Sequence, residues 1–123
     1  MRFANKILIA DDDGEMLDTL AELLEGEGYE VIQAENGLEA LESAKKELPA
    51  LIMLDIHMPK MDGLKACKAI KTDQVTKSIP VVMLTVEGSM SEIEQAIGYG
   101  AKTYITKPSS KEEILKVVKS IVS

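Results

Sequence analysis

Residues 6–13 read Lys-Ile-Leu-Ile-Ala-Asp-Asp-Asp, a short aliphatic run that stops abruptly in three carboxylates. Further apolar runs of similar length follow at Tyr29–Ala34, Leu51–Asp55, Val81–Thr85 and Thr103–Thr106. Runs of this length, rich in Ile, Val and Leu and bounded by turn signals, suit strands buried on both faces of a sheet. Between them the apolar spacing becomes helical. Ala40, Leu41, Ala44 and Leu48 share one face of a second helix, and Ile114, Leu115, Val118, Ile121 and Val122 one face of the last. Ser89 with Glu92, and Ser110 with Glu113, have the spacing of capping boxes at helix starts. Pro49 and Pro80 fall just ahead of strands, where a preceding helix has to end.

Strand and helix therefore alternate five times. Right-handed crossovers make that a parallel sheet with helices on both faces, an α/β doubly wound (βα)5 fold. The first and third strands are expected side by side near the switch in winding direction, and ligands of such sheets bind at the carboxyl ends of the strands. No linker, repeat or low-complexity tract interrupts the 123 residues, so one domain over 1–123 is expected.

Composition narrows the function classes. With 46% hydrophobic and 28% charged residues, the chain falls among globular rather than disordered proteins. Its net charge is −7, its basic residues are scattered, and its aromatics are only Phe3, Tyr29, Tyr99 and Tyr104. That is neither a basic face nor a stacking platform, so direct nucleic-acid binding is not expected. No apolar run approaches the roughly 20 residues of a membrane span, and aspartates arrive too early for a signal peptide. The lone Cys67 cannot form an internal disulfide, which points to the cytoplasm. Three residues from both Leu64 and Ile70, it reads as a small buried apolar side chain rather than a redox thiol.

The functional question lies at the strand ends. Asp11, Asp12 and Asp13 follow the first strand, Asp55 ends the third, Thr85 ends the fourth and Lys107 follows the fifth. Asp13, with Gly14 and a helix behind it, reads as an N-cap. Carboxylates gathered without an arginine repel one another unless a cation joins them. Magnesium suits an all-oxygen site of one or two carboxylates, and manganese could substitute for it. A carboxylate nucleophile beside a metal, an ammonium and a hydroxyl describes a place for phosphoryl transfer.

The stretches KILIADDD, LIMLDIHMPKMDG, PVVMLT and YITKP, in that order, resemble the signature segments of the response regulator receiver (CheY-like) family. The resemblance covers essentially the whole chain and implies a flavodoxin-like strand order of 2-1-3-4-5. It implies Asp55 as phosphoacceptor, Asp11 and Asp12 as the acidic pair, and the backbone carbonyl of His57 as a further magnesium ligand. Thr85 and Lys107 become the pair that closes on the phosphoryl group, and Tyr104 the aromatic position that turns inward with Thr85. The implied partners are a sensor histidine kinase or histidine phosphotransfer protein, and a downstream protein or an output domain absent from this chain. The implied role is that of a signalling phosphoacceptor, not an enzyme acting on a separate substrate. Kinase docking falls on Met16, Thr19 and Leu23, an outward stripe of the first helix, and on Pro108. Ile93, Ile97 and Tyr104 are expected on an output face formed by the fourth helix, the fifth strand and the fifth helix.

Some positions depart from the family pattern. His57 stands where side chains influence the access of water to the acyl phosphate, although its carbonyl is the only part the family requires. Val86 follows Thr85 where many relatives carry a smaller residue, which is expected to narrow access to Asp55. Ser109 replaces a frequent aromatic and, with Ser110, reads as a helix cap. Competing classes fare worse. An aspartyl-phosphate hydrolase wants a second carboxylate where His57 stands, and a flavodoxin-like cofactor carrier wants a Gly/Ser/Thr phosphate loop where three aspartates stand. A receiver that has lost its chemistry would lack the Asp12, Asp55, Thr85 and Lys107 set.

Overall fold

Along β1 (Phe3–Ala10) successive side chains enter two different cores, Ile7 and Ile9 on one side and Leu8 and Ala10 on the other. β3 (Pro49–Asp55) and β4 (Val81–Val86) do the same. This alternation is the period-2 geometry of a strand with apolar layers above and below it. The computed structural model describes residues 3–86, 90–107 and 109–122. Its remaining elements are α1 (Gly14–Gly26), β2 (Glu30–Ala34), α2 (Gly37–Glu47), α3 (Gly63–Thr72), α4 (Met90–Gly98), β5 (Thr103–Lys107) and α5 (Lys111–Ile121).

All pairings are parallel and the strand order is β2-β1-β3-β4-β5, the expected doubly wound, CheY-like arrangement. Leu17, Leu20, Ala21 and Leu24 of α1 join Ile114 and Val118 of α5 on one face of the sheet. Ala40 and Ala44 of α2, Ala66, Cys67 and Ile70 of α3, and Ile93 and Ala96 of α4 cover the other. Among the described residues, no helix is long and apolar enough to cross a membrane.

Two sequence expectations need correction. β1, β3 and β4 are buried on both faces, but β2 and β5 are not, because they are the edges of the sheet. Along β5, for example, Ile105 is buried between the exposed Tyr104 and Thr106. Leu48 lies past the end of α2, as a cap in the left-handed region at φ 48°, with its side chain still packed on the core. Its N–H still donates to the Ala44 carbonyl at 3.0 Å, closing the helix before Pro49 opens β3.

Helix starts are set by side-chain caps. Asn36 Oδ1 accepts from Glu39 N–H at 2.8 Å, Asp62 Oδ1 from Lys65 N–H at 2.9 Å, and Ser110 Oγ from Glu113 N–H at 3.1 Å. The expected cap at Ser89 lies outside the described residues. Two glycines permit close approach of backbone to the β3–α3 loop. A methyl group on Gly37 would overlap the Met61 carbonyl, and one on Gly63 would overlap the Asp55 carbonyl.

Candidate functional site

Strand register delivers the polar residues to one edge. Ala10 pairs with Leu54 and Asp55 with Leu84, so Asp11 and Asp55 emerge from neighbouring strands at the same level. Thr85 pairs with Thr106, which puts Lys107 opposite Val86. One oxygen each from Asp11, Asp12 and Asp55 lies within 4.8 Å of the others.

The three consecutive aspartates divide their tasks. Asp13 Oδ1 caps α1, accepting from Glu15 N–H at 3.0 Å and Met16 N–H at 3.4 Å, as its sequence context predicts. Asp11 is fully buried, and its carboxylate accepts from Asp13 N–H at 3.0 Å and from Lys107 Nζ at 2.8 Å. Asp12 is exposed. Lys107 also reaches Asp55 Oδ1 at 3.5 Å, so one ammonium stands between two buried carboxylates.

Electrostatics follow from this crowding. Burial, and then the charge of Asp11, push the Asp55 carboxyl up to about 6, against the opposing pull of Lys107. Burial works against the charge of Lys107 as well, but its bond to Asp11 and the charges of Asp55 and Asp11 outweigh it and hold its pKa above the usual lysine value. One cation thus faces three carboxylates. A cluster of oxygen donors with negative charge in excess fits a hard divalent cation.

Thr85 is buried at the end of β4, and its Oγ1 donates to the Val86 carbonyl at 3.2 Å. Val86 is half exposed. Tyr104 on β5 and Ile97 on α4 are both exposed, at 37% and 48%. Ile93 is a correction. It is 3% exposed and packs in the core, because α4 has only Ile93 and Ala96 to bury against the sheet side.

The β3–α3 loop is pinned where it leaves Asp55. Gly63 N–H donates to the Ile56 carbonyl at 2.7 Å and Gly37 N–H to the Met61 carbonyl at 2.9 Å. The exposed His57 side chain turns outward, its Nε2 lying 3.4 Å from Glu92 of α4. Neither glycine's role nor the Glu92 contact was anticipated from sequence. Asp62-Gly63 ahead of a helix is a recognisable turn signal, whereas nothing local marks Glu92 as a partner of His57. Met16, Thr19 and Leu23 line a groove against α5. Pro108 lies outside the described residues. Cys67 is fully buried, and burial pushes its thiol up to about 11, which suits a packing role.

Comparison with known proteins agrees with this geometry. Residues 7–119 match the family model described as the response regulator receiver domain. The chain is 40% identical over 117 residues to the DNA-binding dual master transcriptional regulator RpaA of Synechocystis sp., covering 95% of this chain and 48% of RpaA. It thus spans about half the length of that relative. It is 38% identical over 116 residues to the chemotaxis protein CheY of Bacillus subtilis, covering 94% of this chain and 95% of that protein. Among solved structures, chemotaxis protein CheY4 of Vibrio cholerae superposes with a TM-score of 0.88 at 33% identity, covering 94% of this chain and 97% of that one. With family match, strand order and strand-end carboxylates in agreement, the chain belongs to the response regulator receiver domains of two-component signalling systems.

Proposed function

We propose that residues 1–123 act as a single receiver domain whose phosphoacceptor is Asp55. The observation that carries this reading is the placement of Lys107 Nζ 2.8 Å from Asp11 and 3.5 Å from Asp55, inside a cluster of three carboxylates. Phosphotransfer forms a bond from an Asp55 carboxylate oxygen to phosphorus and breaks the bond from phosphorus to the donor. The donor is a histidine of a sensor kinase or of a phosphotransfer protein. Asp11, Asp12, Asp55 and the His57 carbonyl would hold Mg2+, or Mn2+ in its place. That ion supplies charge neutralisation at the phosphoryl oxygens.

Lys107 is the chain's own counter-charge to the new dianion, and Thr85 Oγ1 is a donor able to exchange its Val86 carbonyl for a phosphoryl oxygen. Movement of Thr85 leaves room for the ring of Tyr104, which is 37% exposed, to turn in. The response is a population shift limited by the differential interaction of the two arrangements with the phosphoryl group. The changed surface comprises α4, β5 and α5, read by a downstream protein or an output domain. Met16, Thr19 and Leu23, with Pro108, form the docking site for the phosphodonor. His57 and Val86 tune access to Asp55. The domain acts in the cytoplasm as a signalling component.

Intact-mass analysis after incubation with acetyl phosphate tests the reading. One phosphoryl adduct is expected, dependent on Mg2+ and absent in Asp55→Asn. An adduct that persists in Asp55→Asn would overturn the assignment.

A further inference from the structure

Charge is spread unevenly over this chain. Residues 11–47 hold thirteen of the twenty-one acidic side chains and two of the fourteen basic ones. Part of that excess borders the groove of about 680 Å3 between α1 and α5. The groove's apolar lining comes from Met16, Leu20 and Leu23 of α1 and from Ile114 and Leu115 of α5. α1 exposes Glu15, Asp18, Glu22 and Glu25 and has no basic residue. Glu22 lines the groove itself, faced across it by Glu112 of α5. None of these carboxylates pairs with a cation among the described residues, whereas Glu27 is held by Lys119 at 2.8 Å. Lys111 is the one cation among the described lining residues.

We propose that this groove selects its phosphodonor by charge. Its occupant is an amphipathic helix whose apolar ridge lies on Met16, Leu23 and Leu115 and whose flanks carry Lys or Arg against Glu22 and Glu112. This rests on the docking site proposed above and adds to it the sign of the partner's charge. A groove between two helices takes a third helix through anchors at i, i+3/i+4 and i+7 spacing. The unpaired carboxylates meet a cationic flank without breaking an internal ion pair, and they penalise an acidic one. A second copy is disfavoured as occupant, because a two-fold contact would bring α1 against its own acidic row.

The test uses the full chain, 15N-labelled, and three synthetic helical peptides. Two share one leucine ridge, with flanks of Lys in one and Glu in the other. The third keeps the composition of the Lys peptide with its leucine positions scrambled. The Lys-flanked peptide is expected to shift amides of α1 and α5 and to bind at least about tenfold more tightly than the Glu-flanked one at low ionic strength. That advantage shrinks as salt rises. Glu22→Gln with Glu112→Gln is expected to weaken it by about fivefold per pair removed, the value of an exposed contact in water. Equal binding of the Lys and Glu peptides, equal binding of the scrambled one, shifts centred on other elements, or no binding would overturn the proposal. Acetyl phosphate labelling of the wild type needs no docking protein and reads the phosphoacceptor assignment separately. Labelling at Asp55 combined with equal binding of the two ridge peptides would therefore sink the charge rule alone.

Discussion

Replacing Asp55 by Asn is expected to stabilise the magnesium-free protein at neutral pH, although it removes the proposed acceptor. Asp55 is 7% exposed and shares its strand edge with the buried Asp11, and its carboxyl is pushed from 3.8 to about 6. A folded-state pKa above the unfolded one means that the folded protein binds the proton more tightly. The ionised carboxylate then costs stability above pH 6, and acidification toward the unfolded value relieves that cost. Two pKa units at ~1.4 kcal/mol each set an upper bound of about 3 kcal/mol at pH 7.5, falling to about half at pH 5. Asn has nearly the same shape and no charge, so it escapes the cost at every pH. Urea unfolding of both proteins in a chelator, at pH 7.5 and pH 5, measures the difference through the midpoints. Excess Mg2+ should narrow the gap by stabilising the wild type more than the variant. An Asn variant no more stable than wild type at pH 7.5, or a gap that widens on acidification, would refute this account of the site.

Other variants probe the same edge. Lys107→Met leaves Asp11 and Asp55 without their cation and should destabilise the magnesium-free fold by about 2–4 kcal/mol, in keeping with the loss of one partner from a buried pair; an unchanged urea midpoint would contradict it. Gly63→Ala sets a methyl group onto the Asp55 carbonyl and 2.8 Å from Ile56 Cα, so a loss of about 1–3 kcal/mol is expected in thermal melts. Tolerance of alanine there would mean the loop does not pin Asp55. Val86→Ala should speed adduct formation with acetyl phosphate, and equal initial rates would remove Val86 from the access route.

Much of the fold was legible because strands buried on both faces write themselves as unbroken Ile/Val/Leu runs. β1, β3 and β4 are of that kind, and their boundaries fall within three residues of the sequence reading. The edges were less legible. β2 and β5 also read as apolar, but which strands lie outermost depends on the order in which five similar strands pair. Ile93 shows the same limit on a helix, since an Ile suits a buried face and an output face equally well until its neighbours are known.

The amino-acid sequence by itself determined the doubly wound fold class and the identity of the chemical groups at the strand ends. Both follow from local periodicity and from the order of segments along the chain. Only the tertiary structure decided how those groups share their charges: that Lys107 bonds Asp11 more closely than Asp55, and that Asp55 is pushed upward. It alone revealed the backbone contacts at Gly37 and Gly63, the reach of His57 to Glu92, and the acidic border of the α1–α5 groove. These are distances between residues far apart in the chain, and they depend on strand register and helix packing, which no local pattern encodes.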